Sequence, residues 1–413
     1  MFQFSENPAR PYLAPLILII LSLLTRTTLA APRTIYTGPL QGAGTIVLEL
    51  DAPPTPSSSP LTGRYFYPAH GTDIPLTGTA ASLTGTAASL TEPSPNTSTP
   101  AATWQGTLTP TSYKGTWTDA KTGKQRHFDL KRVAQYDTAQ LEQDRKQARA
   151  TQINLGDVDV NAGITSARAP YDTLKLTGHA KPVGKEIGNA TVAYQMWQDP
   201  RTKFPYPRLT RHPDPQVMQR INYLLEQRHW QKSLGALDCK ATAYTSTNPM
   251  AGTLGGFDEE DVKVTWLSRA LMTVTESGSL DCGGAHPYNH FDVYTFDLLR
   301  GEYLDWNRVF DAYVPGKRTF GGEKSAALLT LVKQAVDQGP DASKADQHPN
   351  LEDCADLWPD YLALGAQAPG ALSLSVSGVG HSSGACLGTH AQVPFKALTP
   401  YLKPGGEAYL VRD

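Results

Sequence analysis

The chain has 413 residues, 40% of them hydrophobic and 18% charged, with a formal net charge of -2. That balance suits globular domains with sizeable cores and gives nothing to draw in nucleic acid or an anionic membrane surface. The 32 prolines and 35 glycines demand many turns, and the length predicts two or three domains.

Residues 1–30 read as a signal peptide. Leu16–Leu24 is an almost unbroken apolar run with Arg10 before it, and Thr28-Leu29-Ala30 places small residues at a cleavage site. The run is shorter than the roughly 20 residues that span a bilayer; an uncleaved anchor is the rival reading. No second run approaches that length, so the chain is expected to be periplasmic or secreted, with no membrane association after cleavage.

Residues 34–133 read as a small β-rich domain. Thr45–Leu50 and Gly63–Tyr67 are strand-like, and the heptad LTGTAAS occurs twice in tandem, at Leu76–Ser82 and Leu83–Ser89. Two copies are too few for a solenoid, so a duplication that lengthened one hairpin is expected. Trp104-Gln105-Gly106 and Gly115-Thr116-Trp117 read as aromatic turn signals, and their rings as core in preference to a sugar-stacking face. A polar linker is expected over 134–170, in which Tyr136 to Thr151 reads as a short helix or as linker.

The second domain, 171–413, is expected to be α+β, an antiparallel sheet with two or three helices. Leu174–Leu176 and Thr191–Trp197 read as strands. Asp214 is placed to cap a helix through Arg228, with Pro215 in its first turn and Val217, Ile221, Leu224 and Leu225 on one face. Strands follow at Val262–Leu267 and Ala270–Thr275, then the stretch Leu280–Trp306, whose second half alternates as a long strand. Ala326–Val336 is a second helix and Leu351–Leu357 a short third. Ala371–Val379 and Ala408–Val411 read as further strands.

Cys239, Cys282, Cys354 and Cys386 allow three pairings. In an exported chain the sequential one, Cys239–Cys282 and Cys354–Cys386, is favoured over zinc, because Cys282, His286 and His290 match no structural zinc spacing. No metal and no cofactor is expected. Gly380-His381-Ser382-Ser383-Gly384 matches the G-x-S-x-G nucleophile elbow, but no helical pattern follows it and the acid and histidine order is wrong. The candidate binding residues are the hairpin end His286, Pro287, Tyr288, Asn289 and His290, and the acidic run Asp258, Glu259, Glu260 and Asp261, which could engage a basic protein without pKa tuning.

The residues Cys282-Gly283-Gly284-Ala285-His286-Pro287, then Thr295-Phe296-Asp297-Leu298, Gly301 and Leu304, resemble the extracytoplasmic RsiV-like domain family. The resemblance covers about 174–410. It implies an exported α+β domain that binds a protein partner, lysozyme in one anti-sigma branch, and that also accompanies a peptidoglycan deacetylase. The stretch before the apolar run is too short for a sigma-binding segment and no deacetylase domain is present, so neither activity is expected to carry over. The expectation is an exported cell-envelope binding protein without catalytic activity, recognising lysozyme-like muramidases or peptidoglycan. The alternative is a serine hydrolase of envelope polymers or esters, acting through the Gly380–Gly384 loop.

Overall fold

The computed structural model describes residues 32–51, 60–80, 85–139 apart from 96 and 98, 143, 163–314, 323–337 and 354–411. The predicted signal peptide, most of the 136–151 stretch read as a short helix or linker, and Leu351–Asp353 of the predicted third helix lie outside them.

The first eight strands are β1 (Arg33–Leu40), β2 (Gly44–Asp51), β3 (Leu61–Phe66), β4 (Ile74–Ala80), β5 (Thr86–Pro93), β6 (Pro100–Leu108), β7 (Ser112–Asp119) and β8 (Gln125–Tyr136). Each pairs antiparallel with the next, and β8 returns to β1, closing an up-and-down barrel. Closure removes the exposed sheet edges that a small β-domain would otherwise have to protect. Alternate residues point inward, and the interior is filled by side chains. Trp104 lies 5.2 Å from Tyr65 and 5.0 Å from Phe128, which in turn lies 4.7 Å from Tyr113 (ring centroids). Trp104 and Phe128 are therefore core.

The two heptad copies lie mostly in β4 and β5, which pair Thr79 with Ser89 and Ala80 with Ala88. The Trp-Gln-Gly and Gly-Thr-Trp segments are not turns. They pair with each other in mid-strand, Trp104 opposite Trp117 and Gly106 opposite Gly115. A Cβ on Gly106 would lie 2.1 Å from the Lys114 carbonyl oxygen, so this close approach of two strands requires glycine.

Helix α1 (Pro170–Leu176) packs outside the barrel, where Tyr171 joins Ile35, Val47 and Phe66. Leu174–Leu176, read as a strand, belongs to this helix: Pro170 fits its first turn, and Lys175 turns fully inward. There the Lys175 ammonium meets Asp73 of the barrel at 2.8 Å. Asp73 also accepts from Arg64 at 2.9 Å and from the Tyr171 hydroxyl at 2.8 Å. Arg201 adds a second tie, donating to the carbonyls of Pro68 and Lys175 at 3.0 and 2.9 Å.

Three antiparallel sheets follow. The first has the order β11 (Pro205–Arg211), β10 (Ala193–Gln198), β9 (Lys181–Gly188). The second runs β12 (Asp261–Leu267), β13 (Leu271–Leu280), β14 (Tyr288–Asp297), β15 (Glu302–Tyr303). The third runs β16 (Leu362–Gln367), β17 (Ala371–Val376), β18 (Gly388–Pro394). Helix α2 (Pro215–Ala241) lies against the second sheet, with Val217, Ile221 and Leu225 meeting Met272, Val274, Tyr294 and Phe296. The Asp214 carboxylate caps it, accepting from the Gln216 and Val217 amides. It continues well past Arg228. The apolar stripe stops at Leu225 because the next inward positions, Arg228, His229 and Lys232, are polar yet buried. Helix α3 (Ala326–Asp337) contributes Leu328, Leu331 and Val332 to a second core with the third sheet, and α4 (Trp358–Tyr361) contributes Trp358. The predicted strand at Ala408–Val411 is a 3-10 turn, Gly406–Tyr409. The architecture is α+β, its N-terminal part a closed barrel.

Both expected disulfides are present, Cys239–Cys282 and Cys354–Cys386. Among the described residues no helix is long and apolar enough to cross a membrane.

Candidate functional site

Glu260 and His290, two of the sequence candidates, meet in the interior. On β13 the inward positions are Met272, Val274 and then Glu276, a carboxylate where the pattern calls for an apolar side chain. Glu276 is fully buried and accepts from Arg228 at 2.8 Å, from the Tyr206 hydroxyl at 2.6 Å and from Lys232 at 3.1 Å. Burial would raise its pKa, but Arg228 and Lys232 bring it down to about 2. Lys232 also pairs with Glu260, whose second oxygen accepts from His290 Nε2 at 3.0 Å. His290 Nδ1 donates to Asp292 at 2.9 Å.

Both His290 nitrogens face carboxylates, which when ionised can only accept, so both nitrogens donate and the ring is an imidazolium. Burial opposes that charge, but the hydrogen bonds to Asp292 and Glu260 raise its pKa to about 9. The result is one ionic chain, Arg228–Glu276–Lys232–Glu260–His290–Asp292, with each charge answered by its neighbour. Its chemistry is structural: it pins α2 to the second sheet, and neither Glu260 nor His290 is presented to a partner. The inward Glu276 was the readable signal, since a carboxylate on a core face requires a buried cation.

The hairpin end remains outside. His286, Pro287 and Tyr288 are exposed and Asn289 is half-buried. The structure brings this end to the Gly380–Gly384 loop, where the His286 ring stacks on His381 with centroids 4.1 Å apart. Ser382 sits in a 3-10 turn, His381–Cys386, and β18 begins soon after, so the strand–turn–helix frame of a nucleophile elbow is not formed. His390 Nε2 donates to the Cys386 carbonyl at 2.7 Å and its ring lies edge-on to Trp358. Among the described residues no group of three or more His, Cys, Asp or Glu could hold a metal ion.

Asp258 and Glu259 lead elsewhere, to a cleft of about 910 Å³ where the barrel meets the second domain. Ala69 and His70 of the β3–β4 connection form one wall. Arg201, Lys203 and Lys240 line it with Asp258, Glu259 and Asp281, and three glycines, Gly252, Gly255 and Gly256, supply bare backbone. Gly255 is fixed by packing, since a Cβ there would lie 2.3 Å from the Cys239 sulfur. The Cys239–Cys282 bridge therefore braces the cleft floor. Lys203 has φ 71°, a left-handed conformation that β-carbon-bearing residues resist, and among the described residues it alone other than glycine has a positive φ. Sequence reasoning missed the cleft because its walls come from segments that only the fold brings together.

No family model matches this chain, and no curated protein does. Among solved structures there is a likeness to a DUF3298 family protein from Pseudomonas aeruginosa PAO1, at 22% identity and a TM-score of 0.24. The match covers 37% of this chain and 64% of that one, and at that score it carries no argument about this chain.

Proposed function

We propose that the protein is an exported, non-catalytic component of the cell envelope that binds peptidoglycan at the cleft between its two domains. The observation that carries this reading is the cleft itself. It is open, of ligand size, and walled on one side by Ala69 and His70 of the barrel, while the second domain lines it with both cations and carboxylates. Peptidoglycan is a polymer bearing both amines and carboxylates, so it offers a counterpart to each. Two disulfides support an oxidising compartment, periplasmic or extracellular.

Recognition of a basic lysozyme-like protein rests on the acidic run Asp258–Asp261. Much of that charge is already answered, because Glu260 pairs with Lys232 and His290, Asp261 with Lys263, and Asp258 lies 3.9 Å from Lys203. Among the described residues Glu259 is left without an ion pair. The test is capture of the purified protein on insoluble peptidoglycan and, in parallel, on immobilised basic lysozyme at moderate salt. Retention on peptidoglycan supports the reading. Retention on lysozyme alone replaces it.

A further inference from the structure

We propose that the cleft recognises a short peptide carrying both a free amine and a free carboxylate, not a glycan chain. This deepens the peptidoglycan reading and rests on it for the source of the peptide. Two observations carry it.

The first is charge. Lys240 on one side, and Glu259 and Asp281 on the other segments of the wall, have no ion pairs among the described residues, although all three line the same cleft. The ion-pair habit of this molecule is otherwise strong, as the chain from Arg228 to Asp292 shows. Opposite charges that share a cleft without pairing are positioned for a bridging ligand that carries both signs.

The second is the lack of a stacking platform among the described residues. Sugar rings are gripped through their apolar faces by aromatic side chains. Among the described residues no Trp, Tyr or Phe lines this cleft, and the one aromatic ring is that of His70, which lies edge-on to Tyr67.

Calorimetric titration of the full protein tests this with a tetrapeptide bearing one glutamate, one lysine and free termini. Its acetylated, amidated form with alanines in place of both charged side chains is the neutral control, and chitotetraose represents the glycan. The charged peptide is expected to bind at least about ten-fold more tightly than the neutral one, a difference of about 1.4 kcal/mol. Lys240→Glu and Lys203→Glu, each checked for an unchanged thermal melt, are expected to weaken it by a similar factor. Equal binding of charged and neutral peptides, no binding of either, or binding of chitotetraose instead overturns the proposal. If the protein is retained on peptidoglycan but ignores the charged peptide, the peptide proposal fails and the envelope reading stands. If it binds the peptide but not peptidoglycan, the cleft assignment stands and the envelope reading fails.

Discussion

His290 and His229 pull stability in opposite directions with pH. The folded pKa of His290, about 9, lies above the ordinary histidine value. Its contribution is therefore complete below about pH 6.5 and is lost as pH rises through 9, on the order of 3 kcal/mol in all. His229 is the reverse case. It is fully buried, and burial with Arg208 nearby lowers its pKa to about 3. The unfolded chain takes up a proton there that the folded chain refuses, so stability falls as pH drops from about 6.5 towards 3. Chemical denaturation from pH 4 to 10 should show a maximum near pH 6–7. His290→Gln should flatten the alkaline limb, and an unchanged limb would mean that His290 is not charged in the fold. At the centre of the same network, Glu276→Gln leaves Arg228 and Lys232 without their shared carboxylate. Its expected cost is about 3–5 kcal/mol in urea unfolding, and a cost below 1 kcal/mol would contradict the burial described above.

At the scale of elements, α1 is the joint of the molecule, held to the barrel at Asp73 and to α2 through Leu176 and Leu237. Asp73→Asn should lower stability and split calorimetric unfolding into two transitions, one for each domain; a single unshifted peak would show that the joint is not held by charge. Loss of the Cys239–Cys282 bridge by paired serine substitution should cost about 4 kcal/mol in the chain-entropy model. Much of this level was legible in the sequence. Asp214-Pro215 announced the start of α2, the alternation after Tyr288 announced β14, and compartment reasoning selected disulfides over zinc for the four cysteines. Thr295-Phe296-Asp297-Leu298 was readable as a strand, but not that Asp297 would accept from Arg308 and the Tyr409 hydroxyl and so clamp the C-terminal turn. Barrel closure was hidden for a similar reason, since β1 meets β8 across nearly the whole first domain. Local periodicity reports which face of a strand is buried, and is silent on which distant strand covers it. Lys175 misled because a charged residue between two leucines reads as strand alternation, whereas here its ammonium reaches a buried carboxylate across the domain boundary.

For the whole molecule, the sequence candidates divided. His290 and Glu260 went to the interior, His286 to Asn289 to a hairpin end against the Ser382 loop, and Asp258 and Glu259 to the interdomain cleft. That division is why binding is assigned to the cleft. It presents charges unanswered within the described residues, whereas the histidine and carboxylates of the interior answer one another. The most direct measurement is co-sedimentation of the purified protein with insoluble peptidoglycan, with soluble fragments assayed in the same tube. Saturable sedimentation that is weakened by Lys240→Glu, with the polymer left intact, is the predicted result. Protein that stays in the supernatant, or polymer that dissolves in a Ser382-dependent way, would contradict the account.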